Sequence, residues 1–190
     1  MNKKEHKKRL LDEGIFPVLK IDNETISELK DWIVTNRPER KKFTILINST
    51  GGCPTQVVRF ASLISILGKE VEITGVALDT CGSAALALLQ CCHKRVAVVH
   101  TGFFIHHIQT RIRISCHSKE LQKIFDDEIE SSRLLEEEIV KLQCKKTGLS
   151  RDKWMKLADY GEKDMDTPIF TDQALKLGLV DEVVDSYPCL

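Results

Sequence analysis

Residues 78–89 read Leu-Asp-Thr-Cys-Gly-Ser-Ala-Ala-Leu-Ala-Leu-Leu, and this stretch decides the fold. An apolar strand ends at a turn of small residues, Ser83 stands in that turn, and an apolar helix begins directly after it. The Ser83 hydroxyl would then lie at a helix N-terminus, where free backbone N–H groups stabilise a developing negative charge. Two interpretations are open. A lone serine at this position is most often a helix cap, and the alternative is a nucleophile.

The flanking sequence predicts successive β-α-β units of a parallel sheet. Strands are predicted at 16–21, 43–48, 71–78, 95–99, 103–108 and 179–184, with helices after residues 22, 53 and 82, a long helix at 118–146, and shorter ones after residues 150 and 170. The paired glycines Gly51 and Gly52 follow one strand and Ser83 follows the next. Both turns therefore lie at the carboxyl edge of the sheet, where open α/β sheets bind their ligands.

A histidine beyond these turns could supply the base that a serine needs. His106 lies in the predicted strand 103–108, where an isolated histidine is more often a core residue than a base. Taken with the glycine turn and the small residues around Ser83, it favours the nucleophile interpretation. We interpret the adjacent His107 as a structural neighbour.

Composition restricts the classes of protein. The chain has 190 residues, 42% of them hydrophobic, which predicts a single domain with its own core. Its 28 basic and 28 acidic residues cancel, so no overall charge directs it to nucleic acid or to an anionic membrane. Seven irregularly spaced cysteines without a Cys-x-x-Cys pair predict reduced thiols and argue against a zinc site. With no signal peptide or membrane-length apolar run, we expect a cytoplasmic protein.

Three segments of the sequence allow predictions about the shape of the protein. The charged residues 2–13 predict either a frayed helix or a solvated, flexible arm, and we favour the arm, over about residues 1–15. The long helix would measure about 42 Å, which exceeds one side of such a domain and predicts a projecting element that packs on a neighbouring subunit. We assign residues 109–147 to this handle and oligomerisation region. Residues 160–168 predict a polar loop with three candidate carboxylates.

Several motifs around these residues match one known family. Residues 47–52, Ile-Asn-Ser-Thr-Gly-Gly, are similar to an Ile-Asn-Ser-Pro-Gly-Gly turn, and Gly82-Ser83-Ala84-Ala85 with Leu88-Leu89 is similar to a nucleophile turn and its helix. Phe104-Ile105-His106 is similar to a Met-Ile-His strand, and residues 173–181 to a Glu-Ala-x-x-Tyr-Gly-Leu-Val-Asp ending. Over residues 21–184 the chain resembles the proteolytic subunit of the Clp protease family, ClpP-like serine peptidases.

This resemblance implies a fold and a set of roles. The fold would be the α/β crotonase-like fold, a repeated β-β-α superhelix with a projecting handle helix. Ser83 would be the nucleophile, His106 the general base and Asp166 the carboxylate that orients the imidazole, with Asp164 as the alternative. The backbone N–H groups of Gly52 and Ala84 would form the oxyanion hole. An ungapped alignment on the histidine would instead place Cys81 at the nucleophile position.

The same resemblance implies a serine endopeptidase that cleaves peptides or unfolded polypeptides inside stacked homo-oligomeric rings, with an ATPase unfoldase as partner and no cofactor, metal, nucleic acid or membrane.

Two differences between this sequence and the family's pattern argue against that function. Residues 109–115, Gln-Thr-Arg-Ile-Arg-Ile-Ser, replace a glycine-rich substrate-binding segment, and the family's axial-loop sequence is not recognisable at the N-terminus. Alternative functions are a non-catalytic ring subunit or scaffold and a crotonase-type acyl-CoA enzyme, which uses a similar pair of N–H groups.

Overall fold

The computed structural model describes residues 2–109, 117, 119–163 and 168–187. The strands are β1 (Ile15–Val18), β2 (Lys42–Ser49), β3 (Glu72–Gly82), β4 (Lys94–Val98), β5 (Gly102–Phe104) and β6 (Glu182–Val184). The helices are α1 (Lys3–Asp12), α2 (Asn23–Asn36), α3 (Pro54–Leu67), α4 (Ala84–Gln90), α5 (Leu121–Thr147), α6 (Arg151–Lys163) and α7 (Thr171–Lys176).

These strands form one parallel sheet, and β3 is its centre. The strand order is β1-β2-β3-β4-β6, and β5 pairs with the far end of β3. The first part of β3 pairs with β4, while its last three residues pair with β5. Because β3 runs on past β4, it carries the chain to Ser83 beyond the main body of the sheet.

Helix α4 is the most deeply buried element of the described chain. Each of its seven residues is buried, and the helix lies directly against β3. A Cβ atom on Gly75 of β3 would stand 2.6 Å from Leu89 Cδ1 and 2.8 Å from Cys92 Sγ. A glycine in mid-strand is what permits this close approach. The start of α4, and with it Ser83, is therefore held by packing.

The strand that we predicted at 103–108 is shorter in the structure. β5 ends at Phe104, opposite Gly82, because β3 ends there and offers no further partner. His106 consequently lies just after the strand, not within it.

The N-terminal segment is a helix, which was the less favoured of our two interpretations, and the expectation of a flexible arm is corrected. Asn2 caps α1: its side chain accepts a hydrogen bond from the Glu5 amide at 2.9 Å, and the Glu5 carboxylate accepts one from the Asn2 amide at 3.0 Å. Leu10 is 2% exposed and belongs to a small apolar cluster with Ile15 and Leu46. The many charges of this segment predict a solvated chain, although its sequence also contains a capping box and a leucine that is buried in the structure.

The polar loop that we predicted at 160–168 begins later than expected, because α6 continues to Lys163. Gly161 lies within the helix. A Cβ atom there would collide with the Ile105 carbonyl oxygen, so α6 passes directly over the backbone that precedes His106. Residues 110–116, most of the segment that replaces the glycine-rich substrate-binding segment, and both candidate carboxylates, Asp164 and Asp166, lie outside the described residues. Within the described ranges, no helix is long and apolar enough to cross a membrane.

Candidate active site

One cavity of about 600 Å³ brings together four residues that the sequence analysis selected. It is lined by Ser83 and Ala84, by Gly52 of the turn after β2, and by His106 beyond β5. Further residues from the loops after β1, β2 and β5 and from helices α3 to α6 complete the lining. The cavity lies at the carboxyl edge of the sheet, as the order of the strands and glycine turns predicted.

Ser83 has a strained backbone conformation. Its φ is +51° and its ψ is −124°, in a region that residues other than glycine rarely adopt, at a cost of about 1–3 kcal/mol. The surrounding structure holds it there, since the Ser83 N–H donates to the Phe104 carbonyl at 2.8 Å. The Ser83 side chain makes no helix-capping hydrogen bond. The cap interpretation is therefore wrong, and capping does not occupy the hydroxyl.

The two turns predicted to share an edge are in direct contact. Gly51 has a φ of +126°, and a Cβ atom on it would lie 2.8 Å from Ser83 Cβ and 3.2 Å from the Ala84 nitrogen. Only a glycine leaves room for Ser83 in this position. Gly51 is buried beneath the serine, whereas Gly52 is exposed, and both glycines line the cavity.

The Gly52 and Ala84 amides remain available for an oxyanion. The neighbours of Gly52 bond to Ile21: the Ile21 N–H donates to the Gly51 carbonyl at 3.0 Å, and the Cys53 N–H donates to the Ile21 carbonyl at 2.7 Å. This parallel bridge turns the Gly52 N–H away from Ile21. Ala84 is the first residue of α4, where amides lack helical partners. Neither amide donates a hydrogen bond to any described residue.

His106 is half-buried, and a main-chain acceptor defines its tautomer. Nδ1 lies 2.5 Å from the carbonyl oxygen of His107. A carbonyl only accepts, so Nδ1 carries the proton and donates it, and Nε2 of the neutral ring keeps a free electron pair. That is the form of imidazole that acts as a base. Within the described part of the chain, no hydrogen bond joins the Ser83 hydroxyl to His106.

His107 connects this segment to two helices. Its Nδ1 lies 2.9 Å from the Glu136 carboxylate of α5, and its Nε2 lies 2.9 Å from the Asp159 carboxylate of α6. Glu136 also accepts the Ile108 N–H at 3.1 Å. We call His107, Glu136 and Asp159 the histidine clamp. Sequence reasoning treated His107 as a neighbour and missed both carboxylates, which are distant in the chain and bear no motif.

Among the described residues, neither the buried cysteines nor a metal-binding cluster provides an alternative chemistry for this cavity. Cys81 is fully buried in β3, and burial raises the pKa of its thiol, which keeps it in the unreactive protonated form. Burial likewise raises the pKa of the Cys91 and Cys92 thiols. Among the described residues, no group of three histidine, cysteine, aspartate or glutamate side chains has metal-binding geometry. The arrangement thus favours Ser83 over Cys81.

Comparisons with known proteins agree with the fold and the motifs. A family model described as Clp protease matches residues 2–187. The structure superposes on the ClpP protease catalytic domain from Plasmodium falciparum with a TM-score of 0.75 at 18% identity, covering 98% of this chain and 93% of that one. It superposes on a point mutant of ClpP1 from Listeria monocytogenes with a TM-score of 0.74 at 18% identity, covering 96% of this chain and 98% of that one.

No curated protein sequence shows a significant match. The structural likeness confirms the α/β crotonase-like fold. With nearly the whole chain covered by the family model, this protein belongs to the Clp protease family.

Proposed function

We propose that this protein is a serine endopeptidase that cleaves peptides or unfolded polypeptides through an acyl-enzyme on Ser83. The observation that carries the proposal is the contact between the Gly51–Gly52 turn and Ser83, which places a strained serine beside two unbonded amides in the cavity that holds His106. A merely structural serine needs neither the strain nor the free amides.

Each step of the reaction has a candidate group. His106 Nε2 takes the proton of the Ser83 hydroxyl as Oγ attacks the scissile carbonyl carbon. The carbonyl oxygen becomes negative and accepts hydrogen bonds from the Gly52 and Ala84 amides, each worth about 2.7–4 kcal/mol in comparable sites. His106 then gives the proton to the leaving amine, and a water molecule, activated by the same nitrogen, hydrolyses the acyl-enzyme.

The carboxylate of the triad is proposed on the resemblance alone. Asp166 would stabilise the imidazolium that forms on His106, and Asp164 is the alternative. The His107 carbonyl already accepts the Nδ1 proton in this structure, so a carboxylate would act together with it or in its place. Asp166→Asn is expected to lower peptide hydrolysis far more than Asp164→Asn. Full activity in both variants would leave the His107 carbonyl as the acceptor.

Assembly into rings is part of the proposal. The N-terminal half of α5 carries exposed apolar side chains at Leu121, Phe125, Ile129 and Leu134. A second copy of the chain in stacked homo-oligomeric rings would cover them. An ATPase unfoldase that delivers substrate is proposed from family membership only.

Hydrolysis of a fluorogenic peptide tests the proposal. Wild type is expected to turn over the peptide, and Ser83→Ala is expected to lose at least about 10³-fold of that activity. Ser62→Ala is the matched control, because Ser62 is exposed on α3 and bonds only to the Val58 carbonyl. Assembly without turnover would indicate the non-catalytic ring subunit instead, and binding of a CoA thioester that is insensitive to Ser83→Ala would indicate the acyl-CoA enzyme.

A further inference from the structure

Both ring nitrogens of His107 lie at hydrogen-bond distance from a carboxylate. Nδ1 is 2.9 Å from Oε1 of Glu136, and Nε2 is 2.9 Å from Oδ1 of Asp159. An ionised carboxylate only accepts hydrogen bonds, and Oε1 of Glu136 also accepts one from the Ile108 N–H at 3.1 Å. Both nitrogens of His107 therefore donate, and a histidine ring that donates twice is a positively charged imidazolium.

The adjacent histidine has the opposite protonation state. Nδ1 of His106 donates to the His107 carbonyl at 2.5 Å, and its Nε2 keeps the electron pair that a base needs. Two neighbouring histidines thus differ in charge. His106 is neutral and faces the reaction, whereas His107 is charged and faces two helices.

The described charged groups in contact with His107 come from both helices packed against its segment. Glu136 reaches the ring from α5 and Asp159 from α6, and His106 is the titratable neighbour on its own segment. Among the described residues that line the cavity, Lys20 is the other charged side chain, and it pairs with a carboxylate of its own segment. The side chains of His107 and Glu136 are only 21% and 28% exposed, so water screens this pair only in part.

Loss of the His107 proton would break the histidine clamp. A neutral imidazole has one N–H, so it could donate to Glu136 or to Asp159 but not to both, and its bare nitrogen would face the other carboxylate. One of the two helices would then lose its bond to this segment. Because the His107 carbonyl holds the His106 ring, that release would loosen the orientation of the base.

We propose that the histidine clamp is a pH-dependent device: while His107 is charged, α5 and α6 hold His106 in its reactive orientation, and deprotonation of His107 releases one helix and lowers the reactivity of Ser83. The link to Ser83 rests on the proposed peptidase function, whereas the charge of the clamp does not. Since two carboxylates favour the charged form of the ring, the release is expected on the alkaline side of neutrality.

Urea unfolding of wild type and His107→Gln tests the charge of the clamp. A proton that the folded chain binds more tightly than the unfolded chain stabilises the fold below about pH 6.5, the ordinary pKa of histidine, and this contribution is lost as the pH rises. At about pH 6, wild type is expected to unfold at a higher urea concentration than His107→Gln, and this gap should shrink at least about twofold by about pH 9. His117→Gln, at an exposed position before α5, is the control and should follow wild type. A gap that is independent of pH would overturn the proposal.

The pH dependence of fluorophosphonate labelling tests the link to Ser83. The labelling rate of wild type should fall at alkaline pH. Glu136→Gln removes one of the two charges that hold the proton, so this fall should move to lower pH by about one unit, while the control Glu137→Gln should leave it in place. A wild-type rate that does not fall, or that falls at the same pH in Glu136→Gln, would overturn the link. Wild type that is not labelled at any pH would overturn the proposed function, and the urea gap would still decide whether the clamp is charged.

Discussion

The conformation of Ser83 depends on a glycine that no side-chain argument would select. A Cβ atom on Gly51 would crowd Ser83 Cβ at 2.8 Å, and its φ of +126° is itself costly for any other residue. The strained serine and this glycine at positive φ are in direct contact. The reactivity that we propose for Ser83 would therefore depend on backbone geometry as much as on His106.

The Gly51→Ala substitution tests how far the reactivity of Ser83 depends on backbone geometry. We expect the substitution to lower the free energy of unfolding by at least about 1 kcal/mol and to abolish the reaction of Ser83 with a fluorophosphonate, because Ser83 must move. Gly148→Ala is the matched control: its φ is +74° but nothing lies within 4 Å of the added Cβ. That variant should lose similar stability in urea unfolding and keep its labelling. Equal labelling in both variants would contradict the role of the Gly51 contact.

The residues of the cavity were predictable from the sequence to different degrees. Ser83, Gly52, Ala84 and His106 belong to short motifs at strand ends, where topology alone brings side chains together. The tautomer of His106 was not predictable, since it depends on a carbonyl whose position the loop after β5 determines.

At the scale of the elements, the histidine clamp controls how the loop after β5 meets the two helices. His107 is held by α5 through Glu136 and by α6 through Asp159, at 2.9 Å each. Its carbonyl in turn holds the His106 ring. We therefore expect the clamp residues to be positioning residues, which would act on the proposed reaction through His106.

Substitutions in the clamp should alter the rate of the chemical step more than substrate binding. We expect Glu136→Gln to lower kcat and the rate of fluorophosphonate labelling several-fold with KM little changed, because the His106 ring loses its fixed orientation. Glu137→Gln is the control, since Glu137 follows in the same helix and pairs with the exposed Arg133 at 3.4 Å. A change in KM alone, or equal effects in the two variants, would be evidence against positioning.

A second link between elements fastens the last strand of the sheet, β6, at its amino end. Arg95 of β4 is 7% exposed; its guanidinium donates to the Asp181 carboxylate, to the Gln90 carboxamide and to the Gly178 carbonyl. The hydrogen bond from Arg95 is the main reason that the pKa of Asp181 is lowered. A carboxyl group whose pKa is lower in the folded than in the unfolded state stabilises the fold above its unfolded pKa, and this contribution is lost as the pH falls.

Unfolding in urea at several pH values tests this link. Asp181→Asn is expected to be less stable than wild type at pH 7, and the difference should shrink as the pH falls below about 4, the ordinary pKa of aspartate. Asp31→Asn, at an exposed position on α2, is the control and should follow wild type throughout. A stability difference that is constant from pH 7 to pH 3 would show that the charge of Asp181 is not what matters.

On the scale of the whole molecule, the parallel sheet was largely predictable from the sequence, but helix α1 and the end of α6 were not. Apolar runs and glycine turns located β2, β3 and the helices between them, since these segments are buried and their pattern reflects it. Helix α1 was only the less favoured prediction for the N-terminal segment, and the end of α6 was missed. Capping by Asn2 and the passage of Gly161 over Ile105 depend on local contacts that composition does not report.

The exposed apolar side chains of the long helix α5 are the basis for our expectation that the chain assembles with further copies of itself. Its N-terminal half exposes Phe125 at 38% and Ile129 at 61%, which is costly for a chain that remains alone in water. We expect Phe125→Ser with Ile129→Ser to yield smaller assemblies than wild type in light scattering coupled to size-exclusion chromatography. Val34→Ser, which removes an exposed apolar side chain from α2, should leave the mass unchanged. The same mass for all three proteins would argue against assembly through this face.

Intact-mass analysis of the native protein after reaction with a fluorophosphonate decides whether Ser83 is an activated nucleophile. We expect one adduct per chain, mapped to Ser83, retained in Cys81→Ala, absent from Ser83→Ala and strongly slowed in His106→Ala. An unlabelled wild-type protein, or an adduct that persists in Ser83→Ala, would contradict it.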